Sequence, residues 1–360
     1  MGSSDENPLA IIDISDLSQY TADELLHAAS SQGFLMIEGH GMTQEQVDKL
    51  FGLSKDFFNL SAEEKTEFKM QQGTNSGYVG MCVENLEEDM KDKPLGDPKE
   101  AFNFSDIDML KGDLSPNIPV PKLFQEKENK ELITSTLLGF KHSLNNMLRL
   151  MAMGLHIDEK DGGDDWFIER HNPAKPSGTT FRFLHYPSPV KKGMTEEELD
   201  ACGEINVAGA HTDYGCVTLL LQRQDEDGLE ILSPVSRKWE SVPFVPASEK
   251  YRKLGQAPPL IVNIGDQLCY WTNGLLKSTV HRVRFPRKLL LEGKSRYSIV
   301  LFVHPAHETL LEPVPAKAIS SISGRGAAFQ LAKHGVSLTA REHLQKRLAS
   351  SYNFAIEKVN

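Results

Sequence analysis

Val207-Ala208-Gly209-Ala210-His211-Thr212-Asp213-Tyr214-Gly215-Cys216-Val217-Thr218-Leu219-Leu220-Leu221 reads as two strands flanking a short polar turn. Apolar and β-branched runs of this length favour extended structure. The same texture continues on both sides. Short strands are expected at Thr180–Tyr186, Gly203–Ala210, Val217–Gln222, Leu229–Leu232, Trp239–Val242, Leu260–Asn263, Cys269–Thr272, Thr279–Val283 and Arg296–Val303. Regular short strands broken by Gly and Pro turns predict an antiparallel sandwich or jelly roll. Pro187–Ala201 and Pro246–Pro258 are hydrophilic insertions between strands, and Asn263-Ile264-Gly265-Asp266 is a turn in which Asp266 is a turn residue rather than a ligand.

Three features on these strands carry chemistry. In a strand, residues i and i+2 share a face. His211 and Asp213 therefore point the same way, as do Arg296 and Ser298. With His281 they supply two imidazoles and one carboxylate, the ligand set of non-haem Fe(II) oxygenases, which leaves coordination positions open. A guanidinium beside a hydroxyl suits the carboxylate of a co-substrate. His-x-Asp occurs a second time at His156-Ile157-Asp158, but after Gly154 at the end of a helical pattern, where it is a loop accident.

Helices precede this region. Thr21 with Glu24, Thr43 with Gln46 and Ser61 with Glu64 have capping-box spacing, as does Thr339 with Glu342 before a terminal helix through Leu344 and Leu348. Ala10–Ile14 and Gly33–Ile37 read as strands. Asn129–Gly154 is the longest helical pattern, and its stripe of Leu132, Leu137, Phe140, Leu144, Met147, Leu148 and Met151 reads as core packing. Residues 71–121 are polar and rich in Gly, Pro and Asp, and are expected to loop around the active-site mouth. The expected organisation is an N-terminal region at 8–125, a supporting helix and linker at 126–175, a jelly-roll core at 176–310 and a helical tail at 311–360.

The formal net charge of -11 argues against a general nucleic-acid binder. No stretch approaches the length of a membrane span, and the acidic start Met1–Asn7 is neither a secretory signal nor a myristoylation site. Four cysteines in 360 residues are too few for a disulfide framework. A cytoplasmic setting follows as the expectation. Oligomeric state is not legible.

Taken together, these motifs resemble the isopenicillin N synthase-like family of Fe(II)/2-oxoglutarate-dependent dioxygenases, over nearly the whole chain. The resemblance is carried by Gln32-Gly33-Phe34 through Gly39-His40-Gly41, by Phe57–Leu60 with Glu63–Lys65, by Gly77-Tyr78 and by Lys99–Phe102. It continues through Phe181–Pro187, His211–Asp213, Asn263–Asp266, Ser278–Val283 and Arg296–Ser298. The Leu-His-Tyr-Pro strand and the polar insertions look most like fungal members, including thymine 7-hydroxylases.

The family implies a distorted double-stranded β-helix (a jelly roll, mainly β with α) flanked by N- and C-terminal helices. It implies Fe(II) on His211, Asp213 and His281, and 2-oxoglutarate on Arg296 and Ser298 with a hydrogen bond from Tyr186. O₂ is the second co-substrate, and ascorbate would help to keep iron reduced. Succinate and CO₂ would be released as a C–H bond of a small molecule is oxidised, by default to an alcohol. Where the family often has Asn, this chain has Leu184, so one polar contact to the co-substrate is replaced or unnecessary. Arg182 is the polar candidate for substrate contact or else a structural ion pair. Phe102, Phe104 and Phe183 wall the pocket or pack the core. His185 is a supporting group of the site or a structural histidine, and Cys216 is oxidation-prone or simply buried. Thymine hydroxylases have a polar amide near position 179, where this chain has Thr179, so thymine is not expected; a fungal biosynthetic small molecule is. The competing readings are an oxidase that binds its substrate's own carboxylate, a zinc hydrolase, and a non-catalytic jelly-roll module.

Overall fold

A computed structural model of the chain describes residues 7–71, 74–84, 96–189, 195, 197–198, 205–322 and 336–351. Twelve strands are seen among the described residues: β1 Ile11–Asp13, β2 Phe34–Glu38, β3 Gly77–Val79, β4 Glu100–Phe104, β5 Thr180–Tyr186, β6 Asn206–His211, β7 Val217–Leu221, β8 Leu229–Leu232, β9 Trp239–Ser241, β10 Leu260–Ile264, β11 His281–Arg284 and β12 Arg296–Val303. They form an eight-stranded sheet in the order β1-β2-β10-β7-β12-β5-β4-β3 and a four-stranded sheet in the order β6-β11-β8-β9. Every pairing is antiparallel except that of β1 with β2. This is the jelly-roll architecture.

The large sheet has two apolar faces with different tasks. On β12, Tyr297, Ile299, Leu301 and Val303 pack with the helices, and so do Leu219 and Leu221 of β7 and Phe181 and Phe183 of β5. The helix Lys127–Gly154 supplies the facing layer through Ile133, Leu137, Phe140, Leu144, Met147, Leu148 and Met151. That stripe is the expected core packing, and the helix begins two residues before its pattern does. The alternate residues of the same strands, Arg296, Ser298, Val300 and Phe302 on β12 and Arg182, Leu184 and Tyr186 on β5, line a cavity facing the small sheet.

Several expectations need correcting. Cys269–Thr272 is not a strand: Asp266–Trp271 is helical and buries Trp271 completely. A four-residue apolar run does not distinguish the two states, and here the Asp266 and Gln267 N–H groups are taken by the carbonyls of Asp213 and Gly215, which fixes the helix start. Thr279 precedes its strand, because β11 begins at His281. The first long helix starts at Gln19, capped by Ser18, whose hydroxyl accepts from Thr21 N–H; Thr21 instead bonds Asp16. Ser61 and Glu64 form the full capping box, while Thr43 and Thr339 cap as expected. The 71–121 segment is more than loops, since β3 and β4 extend the large sheet. Most of Pro187–Ala201, and Gly203 and Glu204 of an expected strand, lie outside the described residues.

Candidate metal and carboxylate site

A cavity lies between the two sheets. His211 and His281 are register partners on β6 and β11, with ring centroids 4.3 Å apart. Asp213 follows β6 in the turn. Its Oδ1 lies 3.8 Å from His211 Nε2 and 3.7 Å from His281 Nε2, too far for hydrogen bonds. One ligand atom from each of the three residues lies within 4.8 Å of the others. Both Nδ1 atoms are engaged by carbonyls, His211 with Gly209 O at 2.7 Å and His281 with Thr279 O at 3.1 Å. A carbonyl only accepts, so each Nδ1 carries the hydrogen and each Nε2 presents a lone pair inward. Burial and the neighbouring His281 push the His211 imidazole down to about 3, which keeps it neutral. Burial alone would raise the Asp213 carboxyl, but hydrogen bonds from Thr218 (2.5 Å) and Asn263 (2.7 Å) favour the carboxylate and hold it below the usual range. Two neutral nitrogen donors and one carboxylate, oriented and with no hydrogen bond among the three, fit a divalent transition metal.

Across the cavity, Arg296 is 5% exposed. Its Nε donates to the carbonyls of Glu226 (3.0 Å) and Asp227 (2.9 Å), and Nη1 to Ser298 Oγ at 2.8 Å. The fork is fixed before any ligand arrives. Tyr186 is the register partner of Arg296, and its ring centroid is 5.1 Å from the guanidinium carbon. Leu184 is paired with Ser298 and packs in an apolar cluster with Val207, Val283 and Val300. The position is walled by hydrocarbon.

The substrate candidates divide. Arg182 lines the cavity and forms the expected ion pair, held by Glu84 at 3.2 and 2.8 Å. Phe102, Phe104 and Phe183 are at most 2% exposed and pack on one another and Phe124 on the helix face of the sheet. None lines the cavity. Strand parity explains the correction: Phe183 alternates with Arg182 and Leu184, and the β4 register places Phe102 opposite Phe183. His185 shares that face. It bonds Glu100 at 2.7 Å and stacks on Tyr297, a structural role. Cys216 is buried, and burial raises its thiol well above the ordinary range, so it is not an easily oxidised thiolate. Thr179 bonds the backbone of His304 and lines a separate cavity.

Asn75, Glu84, Lys99, Thr180 and His304 also line the main cavity and were missed. Lys99 is buried. Burial alone would lower its ammonium, but Glu84 at 3.1 Å and Asp97 at 3.3 Å hold it above the ordinary value. The alternation in Lys99-Glu100-Ala101-Phe102-Asn103-Phe104 marks a strand, but not the cross-strand register that puts Lys99 at the cavity.

The chain is similar to known proteins. Residues 9–120 match the family described as non-haem dioxygenase in morphine synthesis, N-terminal, and residues 182–305 match the 2OG-Fe(II) oxygenase superfamily. A UPF0676 protein of Schizosaccharomyces pombe is 33% identical over 297 residues, which cover 81% of this chain and 79% of that one. A 2-oxoglutarate-dependent dioxygenase of Didymella fabae is 30% identical over 297 residues, 79% of either chain. A full-length Neurospora crassa protein solved in complex with alpha-KG and thymine superposes with a TM-score of 0.73 over 97% of this chain and 98% of its own, at 24% identity, and shares the fold. The chain therefore belongs to the 2OG-Fe(II) oxygenase superfamily, as a dioxygenase with Fe(II) as cofactor and 2-oxoglutarate and O₂ as co-substrates.

Proposed function

We propose that this enzyme hydroxylates a C–H bond of a small molecule of fungal secondary or nucleobase metabolism and releases succinate and CO₂. His211, Asp213 and His281 hold the iron. Arg296, Ser298 and Tyr186 hold 2-oxoglutarate. The observation that carries this reading is the convergence of three ligand atoms within 4.8 Å on one wall of a cavity whose opposite wall presents a pre-fixed guanidinium and hydroxyl. When bound, the iron centre supplies the oxidant for the C–H bond.

The protein's own contribution is placement. Arg296 forms a charge-assisted contact to the distal carboxylate, and the carbonyls of Glu226 and Asp227 prevent the guanidinium from swinging away. Leu184, Ala208, Leu229, Val283 and Val300 wall the cavity with hydrocarbon, which limits water beside the co-substrate. The substrate is aimed from the remaining end, where Arg182 and Glu84 form a polar wall. A reduced, cytoplasmic setting suits the enzyme: Cys82, Cys216 and Cys269 are free thiols, and among the described residues no helix is long and apolar enough to cross a membrane.

The test is anaerobic titration of metal-free protein with Fe(II) and then 2-oxoglutarate, following the visible charge-transfer band of the chelate. We expect the band in the wild type, its loss in Arg296→Leu at matched co-substrate, and no iron binding in His211→Ala. An undiminished band in Arg296→Leu would reject the clamp. Succinate formation that rises when a candidate small molecule is added then identifies the substrate.

A further inference from the structure

We propose that Asp97 is a positioning residue for His211, acting through the backbone of Gly209, whose N–H and C=O lie on either side of its Cα. The inference rests on His211 being an iron ligand, as assigned above.

The ladder between β6 and β11 is irregular next to the metal ligand. Its register runs from His281↔His211 to Val283↔Ala208. Three steps on β6 therefore oppose two on β11, and the extra residue falls at Gly209 or Ala210. Such a bulge interrupts the ladder and re-aims neighbouring side chains. Among the described residues β6 is also the edge of its sheet, so no described strand lies on its other side to fix the bulged backbone. Two other contacts do so. The Gly209 N–H donates to Asp97 Oδ1 at 3.2 Å in a buried contact, and the Gly209 carbonyl accepts from His211 Nδ1 at 2.7 Å. A tilt of the backbone at this one residue moves the acceptor that sets the His211 ring.

Asp97 can act as a fixed point because it is anchored away from β6. Its Oδ2 meets Lys99 Nζ at 3.3 Å, Lys99 meets Glu84 at 3.1 Å, and Glu84 meets Arg182 of β5 at 2.8 Å. A buried chain of alternating charge thus ties the edge of the small sheet to the large one. Asp97 is 7% exposed and Lys99 4%, so water does not loosen the chain. Nothing in the iron or co-substrate chemistry requires these ionised groups, and a metal ligand's orientation is known to depend on such supports.

The experiment uses Co(II) as the probe, with affinity measured by chelator competition and the exchangeable imidazole N–H resonances recorded by paramagnetic NMR of the full chain. Asp97→Ala is expected to weaken Co(II) binding about 10-fold or more and to shift or broaden the His211 Nδ1–H signal while the His281 signal persists. Asp97→Asn keeps an oxygen that can accept from Gly209 but turns its NH2 toward the Lys99 ammonium, so it is expected to lose less than Asp97→Ala without reaching wild type. Asp97→Glu keeps the charge but misplaces the acceptor and is expected to behave like Asp97→Ala; it serves if the alanine variant does not fold. Wild-type Co(II) affinity in Asp97→Ala or Asp97→Glu overturns the proposal, as does a larger loss in Asp97→Asn than in Asp97→Ala. His211→Ala is the control: wild-type affinity there sinks the iron assignment instead.

Discussion

Asp213 divides its two oxygens between tasks. Oδ2 accepts from Thr218 and Asn263, and Oδ1 faces the two imidazoles. Neutral donors fix the carboxylate without cancelling its charge. Asn263→Leu is expected to lower metal affinity roughly 10-fold while the fold persists, as read by chelator competition beside circular dichroism; undiminished affinity would show that Thr218 alone suffices. At this scale much of the site was legible. The i, i+2 rule paired Arg296 with Ser298 within β12, whereas Asp213 lies in the turn after β6 and is brought beside His211 by Thr218 and Asn263 rather than by strand alternation. The aromatic candidates failed because strand parity was not applied to them: Phe183 is one residue from Arg182 and so faces the other way. Glu84 and Lys99 were missed because their placement depends on cross-strand register, which no local pattern encodes.

Between elements, the N-terminal region contributes directly to the metal wall. Gly33, at φ +70, lies so close to the 277–279 segment that an added Cβ would sit 2.0 Å from Lys277 O and 2.6 Å from Thr279 Oγ1. Thr279 Oγ1 donates to Gln32 O at 2.6 Å, and Thr279 O meets His281 Nδ1. Phe34 presents its ring edge-on to His281, with centroids 5.3 Å apart. Gly33→Ala combines a disfavoured φ with a backbone overlap. It should lower the urea midpoint and weaken metal binding together; wild-type values for both would show that the contact does not support His281. The sequence identified Gly33 as the start of a strand, but its partner lies more than two hundred residues away, beyond the reach of any periodicity. The helix Asp266–Trp271 escaped for a related reason, since the backbone groups that start it belong to the turn after β6.

Over the whole molecule, one sheet separates two environments. Odd-numbered residues of β5, β7 and β12 meet helices, and even-numbered ones meet the cavity. The jelly-roll class was readable from the rhythm of short strands, whereas the assignment of β3 and β4 to the same sheet was not, because both are brief and set among polar residues. The three metal-facing residues also belong to different leaves of the structure. His211 and His281 stand on the small sheet, while Asp213 is moored to β7 and β10 of the large one through Thr218 and Asn263. An ion gripped by all three acts as a clasp between two pages of a book. Without it, the pages should breathe along that margin. Amides of β6 and β11 should then exchange with deuterium faster in metal-free protein than in the Co(II) form, while those of β12 change little; uniform exchange in both states would mean that the binding closed nothing.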